Sequence, residues 1–148
     1  MNESFERLMR IALEEAKLAA SEGEVPVGAV LVKDGEVVAR AHNKVEQTHD
    51  ATAHAELLCL RQGMDLLGSR LAECTLFVTL EPSAMCTGAC VNAKLSRLVY
   101  GAFDKAAGCC GSKMDLTDHC FLHSVETWGG VLEEECKELL SSFFKELR

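Results

Sequence analysis

The sequence has no apolar run able to cross a membrane: its longest apolar stretches, 25–32 and 74–80, are broken by Pro26, Gly28 and Thr79. Neither approaches the roughly 20 residues that a spanning helix requires. A secretory signal is missing too, because Glu3, Glu6, Arg7 and Arg10 interrupt the first ten residues, which have neither a basic start nor an apolar h-region. These two absences lead to the expectation of a cytoplasmic protein. Cationic side chains are scarce, since 15 Lys and Arg against 23 Asp and Glu leave a formal net charge of −8. Binding a polyanion draws heavily on Lys and Arg, so the balance argues against a broad basic face and leaves room only for a local patch. Lys94 with Arg97, and Lys145 with Arg148, are the candidates, each equally readable as solvated surface. There is no linker, internal repeat or low-complexity stretch.

What is present suits one compact domain over residues 1–148. A chain of 148 residues with 48% hydrophobic content is long enough to bury about two thirds of its unfolded surface. Its eight cysteines do not demand a disulfide framework, because a chain of this size can fold without staples and Cys59, Cys74, Cys90 and Cys136 sit inside apolar segments. They read as reduced thiols that fill the core as small hydrophobes.

From Phe5 the apolar positions recur as Leu8, Met9, Ala12, Ala16 and Ala19, the spacing of one helical face, with Asn2 or Ser4 as caps and Gly23 as the stop. Two β-rich runs follow, 27–33 and 36–41, joined by Asp34-Gly35, the pair favoured in a tight hairpin. Beyond a polar loop at 42–52, residues 53–67 have helical composition and Gly68 ends them. The run 74–80 suits a buried strand, and Pro82 stands just before the first turn of a further helix, where a missing N–H does no harm. Strands are expected at 97–101 and 124–128, with a loop rich in small residues at 104–112 and an amphipathic helix over 132–147. Alternating strands and helices after an initial hairpin imply a three-layer α/β domain around a mixed sheet.

Two short segments carry the chemistry: His54-Ala55-Glu56 at one helix start and Pro82-Ser83-Ala84-Met85-Cys86 at another. Helix N-termini brought together can set an imidazole and a thiolate around one metal ion, and their dipoles favour the thiolate charge. Glu56, two residues from His54, can stand beside such a metal without ligating it and move protons.

Here the chain resembles the zinc nucleobase deaminases, whose signature is H-x-E followed by P-C-x-x-C. Among these it resembles the bacterial tRNA adenosine deaminases, and the likeness extends through Glu24-Val25-Pro26-Val27-Gly28-Ala29-Val30, Thr52-Ala53-His54-Ala55-Glu56, Val78-Thr79-Leu80-Glu81-Pro82, Met85-Cys86-Thr87-Gly88-Ala89 and Gly111-Ser112. The resemblance implies an α/β/α cytidine-deaminase-like fold with a central mixed five-stranded sheet, a Zn2+ cofactor, and deamination of the wobble adenosine in a tRNA anticodon stem-loop. It implies His54 and Cys86 as metal ligands and Glu56 as the proton carrier. Asn43 would hydrogen-bond the flipped nucleotide and Asp104 would lie near its backbone, although a turn residue and a plain loop aspartate are the alternatives at these two positions. A homodimer is implied as well, with the helix after Pro82 as one candidate interface. His42 and His49 read as loop histidines.

Ser83 stands where the family pattern has its first cysteine. A hydroxyl is a harder and far less acidic donor than a thiol, so weaker zinc binding is expected. Thiolate-rich zinc sites bind with about 10–16 kcal/mol, and losing one of three ligands is expected to leave micromolar affinity. The serine could silence the site or serve as a weak oxygen ligand. Another thiol could also replace it, Cys90 from the same helical face, or Cys109 or Cys110 if their loop folds over. Two other functions stay open: deamination of a free base or nucleoside of guanine or cytosine type, and a silent RNA-binding or partner subunit. An intact Glu56 counts against the last.

Overall fold

The computed structural model of the protein describes residues 3–118 and 121–147. Asn2 and Arg148, named above as a cap and as part of a basic pair, lie outside the described residues.

Helix α1, Glu3–Ser21, buries Leu8, Met9, Ala12, Leu13, Ala16 and Ala19, the apolar face read from the spacing. It ends at Gly23 with φ 78°, where Glu24 N–H reaches Ala19 C=O and Gly23 N–H reaches Ala20 C=O. This pair of bonds satisfies two of the last carbonyls and turns the chain toward the sheet. Strands β1, Gly28–Lys33, and β2, Glu36–His42, pair antiparallel across Asp34-Gly35, both with positive φ, which makes the two-residue turn that matches strand twist. Four further elements alternate: α3, Ala55–Leu67; β3, Cys74–Leu80; α4, Ala84–Asn92; and β4, Arg97–Ala102. Strand β5, Glu126–Trp128, and helix α5, Glu133–Glu146, complete the chain. A short helix α2, Val45–Thr48, lies within the segment expected to be a loop at 42–52, and the strand expected over 124–128 contracts to three residues at the sheet edge.

The five strands run β2-β1-β3-β4-β5, antiparallel at the first two pairings and parallel at the last two. Side chains alternate across the sheet, so Val30, Val32, Phe77 and Val99 meet Met9, Ala12 and Cys136 of α1 and α5. Ala29, Leu31, Leu76 and Leu98 meet Ala55, Leu60 and Val91 of α3 and α4. The result is three layers around a mixed five-stranded sheet. Gly28 is needed where α1 crosses β1: a Cβ there would lie 2.1 Å from the Ala12 carbonyl oxygen.

Several surface expectations change. His42 is a buried residue at the end of β2, not a loop histidine, with Nδ1 2.8 Å from Glu15 and Nε2 3.0 Å from Glu22. His49 stays a loop histidine, in the turn just after α2 with φ 54°. Arg97 donates to Glu126 at 3.0 Å and lies over the Phe5 ring, so it is committed to the protein rather than offered with Lys94 as a phosphate patch. The seven cysteines among the described residues are free and buried, and no described helix is long and apolar enough to cross a membrane.

Candidate functional site

The first residues of α3 and α4 meet at the carboxyl end of β3, a place where open α/β sheets commonly bind ligands. Each helix begins with an unusual cap. His54 is the N-cap of α3 with extended backbone and no side-chain capping bond, and the Ala55 N–H donates to Asn43 Oδ1 at 2.8 Å. Ser83 is the N-cap of α4, a position where serine usually accepts a bond from the first turn, but it makes none. Its hydroxyl is buried without a hydrogen-bond partner. It lies close enough to Cys86 to ease that thiol slightly, without reaching hydrogen-bond geometry.

His54 Nδ1 is 3.6 Å from Cys86 Sγ, and these atoms together with a Glu56 carboxylate oxygen all fall within 4.8 Å of one another. Burial, aided by the neighbouring charge of Glu56, pushes the Cys86 thiol well above its ordinary value. Burial likewise pushes the Glu56 carboxyl up to about 7, only partly offset by a backbone N–H and by Cys86. A hidden thiol and carboxyl side by side repel each other when ionised, and a bound cation would reverse that repulsion. An imidazole and a thiol in contact with each other, beside an orphaned hydroxyl, are therefore a donor set that fits a divalent metal. One of its donors is weak.

Cys90, Cys109 and Cys110 do not join the group. Cys90 is fully buried one turn deeper, Cys110 Sγ is 3.5 Å from the Thr87 hydroxyl, and Cys109 Sγ faces the Ala107 carbonyl. Among the described residues, the metal-capable cluster contains a single thiol.

His54, Glu56 and Ser83 open onto a cavity of about 350 Å³, within the range of small-ligand pockets, with Val27 and Leu80 as apolar walls. Asn43 and Asp104 also line it, so the six residues proposed from sequence reach one place. The Asn43 amide nitrogen has no partner within the described residues, which leaves a donor for a ligand. Asp104 Oδ1 accepts from the N–H groups of Ala106 and Ala107, each at 3.1 Å, so its side chain also shapes its own loop. Sequence reasoning gave no role to Glu24 and Glu81, which line the same cavity and are almost wholly buried. Glu24 accepts from the N–H groups of Glu46 and Gln47 at 3.0 and 2.8 Å and so holds the start of α2 against the site. The available signal was a glutamate beside apolar residues, without any spacing that names its partners.

The sequence matches the MafB19-like deaminase family over residues 3–148. It is 50% identical to a tRNA-specific adenosine deaminase of Bacillus subtilis (strain 168) over 97% of this chain and 90% of that protein. It is 43% identical to a tRNA-specific adenosine deaminase of Aquifex aeolicus (strain VF5), over 97% of this chain and 95% of that one. A solved structure from studies of A-to-I editing by tRNA:A34 deaminases at the wobble position superposes with a TM-score of 0.83. That match has 40% identity over 90% of this chain and 99% of the other.

Proposed function

The chain belongs to the deaminase family of the tRNA-specific adenosine deaminases, and from that premise we propose that it hydrolyses the wobble adenosine of a tRNA anticodon loop to inosine, releasing ammonia. The observation that carries this reading is the convergence of His54, Cys86 and Glu56 beside a pocket of small-ligand size that His54 and Glu56 line. A zinc ion held by His54 and Cys86, with Ser83 as a weak third donor, would supply the Lewis acidity that makes water reactive at neutral pH.

The protein's own groups do the rest. Glu56 takes a proton from the attacking water and delivers it to the purine ring nitrogen, then passes the second to the amino group as it leaves. Its pKa, raised to about 7 by burial, suits a group that must both accept and donate near neutral pH. The Asn43 amide N–H groups orient the base, and Val27 and Leu80 exclude water from its faces. An unpaired anticodon base is cheap to extrude into such a pocket. The whole chain acts as a single domain in the cytoplasm, and a second copy seats against the outward side of α4, where Met85 is 38% exposed.

A free-base substrate is the second reading, favoured by a cavity whose lining includes Glu46 and Asp104 but no Lys or Arg. The test is single-turnover product formation with an anticodon hairpin, free guanine and free cytidine, with metal content measured on the same sample. Inosine in the hairpin alone supports the adenosine reading; product from a free base alone replaces it.

A further inference from the structure

Glu81 follows the last residue of β3, is 2% exposed, and directs its side-chain hydrogen bonds among the described residues to one loop. Its Oε1 accepts the Asp104 N–H at 3.0 Å and the Ser112 hydroxyl, and its Oε2 accepts the N–H groups of Cys110 and Ser112, each at 3.0 Å. Two backbone bonds reinforce the same junction, from Glu81 N–H to Ala102 C=O at 2.9 Å and from Cys109 N–H to Pro82 C=O at 2.9 Å. The loop closes tightly over the carboxylate: a Cβ on Gly108 would lie 2.4 Å from Glu81 Cδ. The closure also gives Gly111-Ser112, so far without a function, a physical role.

This loop carries Asp104 and Ala107 into the cavity wall. We propose that Glu81 is a positioning residue for the nucleotide: by gathering three backbone N–H groups and one hydroxyl, it fixes the 104–112 loop as the outer wall of the pocket and so sets affinity for the RNA substrate. The proposal rests on the adenosine reading above. Glu81 borders the cavity, but its side-chain hydrogen bonds go to the loop and none goes to His54, Ser83 or Cys86 among the described residues. Its effect passes through Asp104 and Ala107, which it holds at a set height over the pocket.

The chemistry makes the effect separable. A glutamine at this position keeps the shape of the side chain but replaces one acceptor oxygen by an NH2 group, which would face N–H donors instead of accepting from them. Losing hydrogen bonds to a buried charged group is expected to weaken binding about ten- to hundredfold. Ser112→Ala removes one of the four bonds and should act in the same direction by a smaller factor.

The experiment measures three quantities on the full chain, on Glu81→Gln and on Ser112→Ala, well below the midpoint of unfolding. These are the Kd for an anticodon hairpin by fluorescence anisotropy, hydrogen exchange of the Asp104, Cys110 and Ser112 amides, and zinc content. The expected result is faster exchange confined to that loop, weaker hairpin binding graded from Ser112→Ala to Glu81→Gln, and unchanged zinc. Faster loop exchange with unaltered hairpin affinity in both variants would overturn the assignment, as would affinity lost only in step with zinc or with the folded fraction. Should Glu81→Gln not fold, Ser112→Ala carries the same test. Failure of the unaltered chain to bind the hairpin overturns the adenosine reading and this inference with it, whereas binding indifferent to both substitutions overturns this inference alone.

Discussion

Glu56 and Glu24 both expose little surface, 4% and 1%, yet their carboxyl groups move in opposite directions. Burial pushes Glu56 up to about 7, because one backbone N–H and a thiol are too little to replace its water. Burial acts on Glu24 as well, but the N–H groups of Glu46 and Gln47 and the Gln47 side-chain amide outweigh it and hold the carboxyl below its ordinary value. Low exposure alone therefore does not raise a carboxyl; how deep it lies and how many donors surround it decide together. The same contrast separates two hydroxyls. Ser112 is bonded to Glu81 and belongs to the scaffold, while Ser83 is buried without a partner and belongs to the site.

The sharpest way to test the comparison is to neutralise each carboxylate. Glu56→Gln is expected to lower deamination about 10²- to 10⁴-fold, the usual contribution of general acid–base catalysis, while the unfolding midpoint does not fall. Inosine formation and thermal melting on one preparation check this, and turnover within a few-fold of the unaltered chain would remove Glu56 from the mechanism. Glu24→Ala should do the reverse in kind. It strands the N–H donors at the start of α2, at a cost of about 1–3 kcal/mol for each buried donor left unsatisfied, and urea denaturation should show the loss. An unchanged midpoint would mean that water replaces the carboxylate and that α2 is not held by it.

A smaller effect is expected in the pH dependence. Since the folded value of Glu24 lies below its ordinary 4.5, it contributes stability that is present above that pH and is lost as pH falls through the folded value. Acidification should therefore destabilise the unaltered chain more steeply than Glu24→Gln. Parallel stability curves for the two proteins would remove this carboxylate from the acid response.

What could be read from sequence was what depends on short spacing. The three- and four-residue repeat from Leu8 to Ala19, the Asp34-Gly35 turn and the two helix starts at His54 and Ser83 are local patterns, and the structure contains each of them. Boundaries slipped where pairing decides them: the expected strand at 124–128 retains only the residues that find Arg97, Leu98 and Val99 on β4. Long-range polar contacts were not legible. His42 looked like a loop residue because Glu15 is 27 positions away, and Glu81 looked like part of a motif because Ser112 is 31 positions away. For Asn43 the resemblance implies a nucleotide contact with a turn residue as the alternative, and no spacing reveals that its Oδ1 accepts the Ala55 N–H at the start of α3.

The central claim is that the meeting of α3 and α4 is a deaminase metal centre weakened at one donor, and Ser83→Cys tests it most directly. The substitution changes one atom and places a second thiolate at a helix start, where the dipole favours its charge. Zinc affinity and single-turnover inosine formation on an anticodon hairpin should be measured for both proteins, with and without added zinc. The account predicts that affinity and inosine formation rise together, and that excess zinc narrows the gap between the two forms. Tight stoichiometric zinc in the serine form, or a cysteine form that binds zinc tightly and leaves adenosine untouched, would contradict it.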